Sequence, residues 1–340
     1  MIPQKQIEEI REYLAKAENP LYFFDDDVDG LASYLLLIKK YEKGHGIPIK
    51  AGPLLGIEYL NKVEEYCPDL LVILDKANIA QDFIEKINVP ILWIDHHPVQ
   101  HKKGVHYYNT KKYIEGVAEP TTAICYEITK GSTWIAATGI LFDWYLPTFL
   151  DELNQEYPDL VPKTRDVTKL LFESEFGKII KRMSFLLKGK TSSVKKQIYI
   201  FSKIESPYEF LNSTSARAKF LNKALEKNEK EYNLLLTQAK KFVTKEKVLL
   251  FIYPSIKNSY TAELSNELMY LYPDKIIIIG REKNNEIKMS LRALKIKIAP
   301  ILENALKDVK GYGGGHDHAC GSVVSKDDFD RFLENIKSQI

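Results

Sequence analysis

Three short apolar runs in this chain each stop at an aspartate. Leu21–Phe24 runs into Asp25, Leu70–Leu74 into Asp75, and Ile91–Ile94 into Asp95, with His96 and His97 directly behind. Apolar runs of this length, bounded by polar residues, read as parallel strands buried on both faces. The stretches 4–18, 31–41, 57–66 and 80–87 read as helices placed around them. This alternation predicts an α/β fold whose N-terminal part is a doubly wound, mainly parallel sheet. Pro120–Lys130 and Trp134–Tyr145 read as two packed helices, and the helical pattern continues over 165–187.

Around 188–198 the chain turns basic and small, through Lys188, Lys190, Lys195 and Lys196. A domain boundary is expected there. Residues 215–243 contain no proline or glycine and read as one long connecting helix. Strand-like runs follow at Val248–Tyr253, Lys275–Ile279 and Ile287–Leu291, with a helix over 260–270, a glycine loop at 311–315 and a closing helix over 326–337. The expected organisation is an α/β domain over 1–187, a helical linker over 188–245 and a smaller α/β domain over 246–340.

In open α/β sheets, ligands bind beyond the carboxyl ends of the strands. One sheet edge would therefore collect several carboxylates and two imidazoles, an arrangement for cations. The first loop reads Asp25-Asp26-Asp27-Val28-Asp29-Gly30. In an extended chain Asp25, Asp27 and Asp29 face one way, and Gly30 permits a sharp turn into the next helix. A helix N-cap needs one aspartate, not four. At ~4 Å two like charges repel by about 4 kcal/mol at an effective dielectric of 20, so such a cluster calls for divalent metal. Oxygen ligands with one or two imidazoles suit Mn²⁺, Mg²⁺ or Fe²⁺ better than thiolate-bound Zn²⁺. Asp143, behind the apolar Gly139–Phe142, is either a further ligand or an N-cap; beside the others it is the ligand that is expected.

Composition narrows the classes. Of 340 residues, 45% are hydrophobic and 28% charged, ordinary values for a globular chain with room for two cores. No apolar run reaches membrane-spanning length, and Met1–Arg11 lacks the apolar core of a secretion signal, so a cytoplasmic location and no membrane partner are expected. Cys67, Cys125 and Cys320 are scattered without CxxC spacing, which argues against a disulfide framework or a zinc site. With a net charge of +2, nucleic-acid contact would have to come from a local patch.

The ordered set DDDVDG, LDKAN, IDHHP and GILFDW resembles the four motifs of the DHH-family phosphoesterases. GYGGGHDHACG, residues 311–321, resembles the glycine-histidine loop of the DHH-associated C-terminal domain. EPTT at 119–122 and DWYLP at 143–147 are similar to the archaeal RecJ-like branch of oligonucleotide exonucleases. The resemblance implies two divalent metals, Mn²⁺ preferred and Mg²⁺ as an alternative. It implies that Asp25 and Asp27 hold one metal and Asp29 the other, that Asp75 bridges them, and that His96 and Asp143 complete the second. His97 would meet the substrate phosphate, with Asp95 orienting the histidines. The chain departs from the family pattern at Asp25, where many relatives carry histidine, and at Lys76-Ala77, where glycine often follows the aspartate.

In the C-terminal part, Gly313, Gly314 and Gly315 offer bare backbone amides beside His316, as phosphate-binding nests do. Ser290 and Arg292 alternate onto one strand face, and Arg292 could grip a phosphate bidentately. By itself Arg292 would read as a surface ion pair; the resemblance places a serine–arginine pair at the substrate. The expected activity is metal-dependent phosphodiester hydrolysis, as an exonuclease on single-stranded RNA or DNA or on short oligonucleotides. The competing readings are hydrolysis of a small nucleotide, either a cyclic dinucleotide or adenosine bisphosphate, and a non-catalytic replication scaffold. The scaffold ranks low because every metal position retains Asp or His. The resemblance admits a replication or RNA-processing partner and a homodimer, though no interaction motif specifies either.

Overall fold

The computed structural model describes residues 2–50, 52, 54–114, 118–255 and 258–340. Five strands form an all-parallel sheet: β1 (Pro20–Asp25), β2 (His45–Ile49), β3 (Leu70–Leu74), β4 (Ile91–Asp95) and β5 (His106–Asn109), in the order β2-β1-β3-β4-β5. Every residue of β3 and β4 is buried, because both sheet faces are covered. Leu21, Phe23, Leu71, Ile73 and Trp93 face one side, where Phe83, Ile84, Leu60 and Val63 pack on them. On the other side Phe24 stacks on Tyr34 of helix α2 (Val28–Tyr41), ring centroids 4.8 Å apart. The strand order reverses direction between β1 and β3. That switch point is where a doubly wound sheet opens a ligand crevice at its carboxyl edge.

Helix α2 starts at Val28, three residues before the position expected from the apolar pattern, because Asp27 caps it: its Oδ1 accepts the Gly30 amide at 3.0 Å. The first turn therefore lies directly over the end of β1. A Cβ on Gly30 would stand 2.5 Å from the Asp25 carbonyl oxygen and 2.8 Å from its nitrogen. Backbone cannot yield as a flexible side chain would, so Gly30→Ala is expected to cost about 3 kcal/mol of stability. Urea unfolding checks this; a midpoint unchanged from the parent would show that the turn is not so tightly seated.

The chain divides into two units, Met1–Lys223 and Ala224–Ile340. Residues 188–223, expected to open a linker, build helices Thr191–Phe201 and Pro207–Asn212 within the first unit. The long helix α5 (Ala216–Lys240) runs across the division. Helices α3 (Thr121–Thr129) and α4 (Thr133–Phe142) precede these and pack on α2.

The second unit holds a mixed five-stranded sheet: β6 (Val248–Pro254), β7 (Ile276–Lys283), β8 (Glu286–Ala293), β9 (Gly311–His316) and β10 (Ala319–Ser325), in the order β9-β10-β8-β7-β6. Only β6 and β7 pair in parallel. Helix α6 (Thr261–Leu271) lies against β7 and β8, while α7 (Ile298–Ala305) and α8 (Phe329–Lys337) pack with the apolar residues of β8 and β10. The glycine run expected as a loop is strand β9. It closes on β10 through the two-residue turn Asp317-His318, with Gly315 opposite Cys320. Among the described residues, no helix is long and apolar enough to cross a membrane.

Candidate metal centre

The carboxyl edge of the first sheet gathers its acidic residues by five different local devices. Asp25 ends β1 itself. Asp27 is the α2 cap, and Asp29 sits in the first helical turn, fully buried. The three aspartates are thus brought round by a strand end, a cap and a helix turn, and not by one extended segment. Asp75 follows β3 with a left-handed backbone, φ 59°, held by its amide donating to the Ile94 carbonyl at 2.9 Å. Asp143 follows α4 as its C-cap and not as an N-cap. A carboxylate at a helix C-terminus meets the negative end of the macrodipole, so this position favours a nearby cation.

Ligand atoms within 4.8 Å of one another form three overlapping groups: Asp25–Asp27–Asp75, Asp29–His96–Asp143, and Asp75–His96–His97. Asp75 and His96 each belong to two groups, so the groups make one continuous centre. His96 Nε2 stands 3.1 Å from Asp143 Oδ2, 3.3 Å from Asp75 Oδ1 and 3.9 Å from Asp29 Oδ2. His96 Nδ1 is buried with no hydrogen-bond partner among the described residues.

Two of these carboxylates are tied into the protein by two contacts or by a cation. Asp29 accepts the Thr121 and Thr122 amides, one on each oxygen, at 2.9 and 2.8 Å, which fastens the N-terminus of α3 to that of α2. Asp25 accepts the buried Lys76 ammonium at 2.7 Å, and Lys76 also reaches the Gly52 carbonyl at 3.1 Å. Asp27 accepts only the Gly30 amide and Asp75 the Thr121 hydroxyl among the hydrogen bonds of the described residues, and Asp143 stands beside His96. Burial, then the neighbouring carboxylates, raises Asp27 to about 7 and pushes Asp75 and Asp143 well above the ordinary aspartate range. Burial lowers His96, so its imidazole is neutral and able to ligate. Buried carboxylates of unsatisfied charge beside a neutral imidazole form a donor set that fits one or more divalent cations.

Asp95 does something different. It is fully buried, and its Oδ1 lies 2.7 Å from His97 Nδ1. Its Oδ2 accepts the His97 amide, the Tyr107 hydroxyl and the Asn109 amide nitrogen at 3.1–3.2 Å. Burial alone would lower His97; the Asp95 hydrogen bond and charge, with Asp25 and Asp27, outweigh it and raise the imidazole pKa. His97 is thus a part-exposed imidazole whose protonated form is favoured, held from a fixed base.

Sequence reasoning missed Lys76, Tyr107, Asn109 and the contribution of Thr121, whose hydroxyl lies 3.2 Å from Asp75 Oδ1. Lys76 and the threonines of EPTT were noticed as motif letters, but nothing in their spacing reveals which atoms they meet. Asn109 ends β5, a strand too polar to be read as one.

In the second unit, Ser290 donates to Thr261 Oγ1 at 3.0 Å. Arg292 Nε donates to Asn266 Oδ1 at 2.6 Å, and its Nη1 to the Leu291 and Cys320 carbonyls. Burial lowers the Arg292 pKa to about 10, which leaves it charged. Arg292 is therefore pinned by backbone and an amide side chain, not by a surface carboxylate. Gly313, Gly314, Gly315 and His316 lie on exposed β9, in the same sheet.

With this geometry established, comparison with known proteins gives the class. Residues 245–340 match the DHHA1 domain. No curated protein matches the sequence. Among solved structures, the chain is similar to RecJ from Thermus thermophilus in complex with Mn²⁺, with a TM-score of 0.71 and 14% identity, covering 99% of this chain and 55% of that one. It is similar to an exonuclease RecJ bound to manganese, with a TM-score of 0.62 and 14% identity, covering 99% and 95%. It is also similar to a pGpG-specific phosphodiesterase from Vibrio cholerae, with a TM-score of 0.52 and 16% identity, covering 95% and 98%. The chain has the DHH-type, RecJ-like fold, and its C-terminal unit is a DHHA1 domain. It spans about half the length of the Thermus chain.

Proposed function

We propose that this protein is a divalent-metal-dependent phosphodiesterase that releases nucleotides from an end of single-stranded RNA or DNA or from short oligonucleotides. The convergence of Asp25, Asp27, Asp29, Asp75, His96 and Asp143 on one sheet edge carries this reading. Asp75, shared between groups, would contribute to holding both of the two ions expected, Mn²⁺ in preference to Mg²⁺. Bound there, divalent ions would supply an activated water at neutral pH and charge neutralisation at the phosphoryl oxygens. The protein's own part is positional. His97, oriented by Asp95 and with its protonated form favoured, donates to a non-bridging phosphate oxygen as charge builds on it. Asp29, tied to the α3 amides, fastens the first turn of α2 to the start of α3. In the DHHA1 domain, Ser290, Arg292, His316 and the glycine amides hold the terminal phosphate.

A second reading, hydrolysis of dinucleotides, is supported by the likeness to a pGpG-specific enzyme over 98% of that chain. Labelled single-stranded RNA and DNA of two to about twenty nucleotides, incubated with Mn²⁺, separate the two. Release from every length supports the exonuclease; release from dinucleotides alone supports the second reading. No release with any divalent metal would sink both. The likeness to RecJ structures holding Mn²⁺ and Mg²⁺ supports a divalent metal; the preference for Mn²⁺ rests on the motif resemblance, and the archaeal affiliation on EPTT and DWYLP alone.

A further inference from the structure

The first sheet edge carries a cation of its own. Lys76 follows Asp75 and is 1% exposed, so its stem and its ammonium both lie inside the protein. Its main chain is fixed from the core. The Asp75 amide donates to the Ile94 carbonyl at 2.9 Å, and Trp93, stacked on Tyr107, donates from its ring nitrogen to the Lys76 carbonyl at 2.9 Å. Successive side chains of an extended strand point to opposite faces. The left-handed backbone at Asp75 breaks that rule, and both Asp75 and Lys76 reach towards Asp25.

Lys76 Nζ donates to Asp25 Oδ1 at 2.7 Å and to the Gly52 carbonyl at 3.1 Å. Asp25 also belongs to the group Asp25–Asp27–Asp75, whose ligand atoms lie within 4.8 Å of one another. One carboxylate is thus claimed twice, by a fixed ammonium and by a candidate cation position. The Asp25 side chain keeps 28% exposure, so an ion can approach it from solvent while Lys76 holds it from within. The ammonium cannot step aside cheaply, because a buried charge stripped of its partner is strongly destabilising.

The other half of the centre has no such competitor. Among the described residues, no lysine or arginine pairs with Asp29 or Asp143. A divalent ion at Asp29–His96–Asp143 meets two carboxylates and a neutral imidazole. One at Asp25–Asp27–Asp75 meets three carboxylates, one of them already neutralised, and an ammonium that repels it. Coulomb repulsion over a few ångströms in a partly buried site exceeds the free energy of a tenfold change in affinity.

We propose that Lys76 is an internal counter-ion that makes the two cation positions unequal: an ion at Asp29–His96–Asp143 is held tightly, and one at Asp25–Asp27–Asp75 weakly. This role rests on the divalent-metal reading above and adds to it which position empties first and which residue decides that. Lys76 touches a ligand and not the substrate, so it acts by setting occupancy. Full loading would then follow the free metal concentration over a range in which the first position is already saturated.

The test is titration of the metal-stripped full chain with Mn²⁺ alone, followed by calorimetry and by the paramagnetic resonance signal of the unbound ion. The parent should take up one ion tightly and a second at least roughly tenfold more weakly. Lys76→Gln can still donate to Asp25 but carries no charge; Lys76→Met loses both. In each variant the second ion should tighten roughly tenfold or more while the first moves by less than about threefold. A second ion seen only in the variants would be the same result in its extreme form. Two ions bound equally by the parent, a second ion unmoved by either substitution, or one ion or none in all three proteins would overturn the proposal. So would variants that fail to fold even with Mn²⁺ present, since Lys76 would then serve the fold alone. Hydrolysis of a labelled oligonucleotide in the same samples keeps the two readings apart. The affinity shift without hydrolysis would uphold the role of Lys76 and sink the hydrolase reading; hydrolysis with unshifted affinities would do the reverse.

Discussion

Replacing Asp75 with asparagine is expected to reduce phosphodiester hydrolysis by roughly 10³-fold or more, well beyond the 10–100-fold of a residue that only orients a ligand. Asp75 is 2% exposed, stands between two groups of ligand atoms, and has its charge opposed only by its neighbours. The substitution isolates that charge. Asparagine is among the few residues that tolerate a φ of 59°, and its side-chain oxygen can still accept from Thr121. The variant should fold with an unchanged circular dichroism spectrum and lose Mn²⁺ affinity by calorimetry. Asp95→Asn gives the contrast: its carboxylate touches His97, Tyr107 and Asn109, so metal affinity should change little while turnover falls roughly 10–100-fold. An Asp75→Asn protein that turns over within threefold of the parent would end the metal-centred account.

The second large effect is the response of stability to metal and pH. Asp27, at about 7, and Asp75 and Asp143, higher than ordinary aspartates, hold protons in the metal-free fold that the unfolded chain releases near pH 4. Where the native state binds more protons, stability falls as pH rises. The metal-free protein should therefore be most stable below the unfolded value of about 4, as far as these three groups decide, and lose Asp27's share of that contribution as pH climbs through about 7. A divalent ion replaces those protons. At a hundredfold excess over its dissociation constant it should stabilise the fold by about 2.7 kcal/mol, with a gain that grows from pH 5.5 to 7.5. Thermal unfolding with and without Mn²⁺ at both values, together with calorimetry in two buffers of different ionisation enthalpy, measures the shift and the protons released. A metal-free melting temperature that rises with pH, with no proton release on binding, would contradict the clustering of these carboxylates.

Legibility from sequence followed burial. β3 and β4 are continuous apolar runs because both sheet faces cover them, and their bounds were readable to within a residue. β2 contains Gly46 and Pro48 and sits at the sheet edge, and β5 is polar and aromatic; neither carries a period. β9 is four glycines among six residues, so its strand character comes from pairing with β10 and not from propensity. The ligand aspartates could be named because each ends an apolar run or stands beside another acid. Their partners could not. Thr121 and Thr122 meet Asp29 across more than ninety residues of sequence, and Lys76 meets Asp25 across fifty-one. Those pairings depend on how the helices seat on the sheet.

The position of the indoles gives this centre an optical gauge. The chain has three tryptophans. Trp93 donates from its ring nitrogen to the Lys76 carbonyl at 2.9 Å, one residue beyond Asp75, and Trp144 directly follows Asp143. Trp134 instead packs edge-on to Phe201. Paramagnetic Mn²⁺ should therefore quench a large share of the intrinsic emission while diamagnetic Mg²⁺ should not, so a fluorimeter can follow loading in unlabelled protein; equal spectra with the two ions would put the indoles out of the metals' reach.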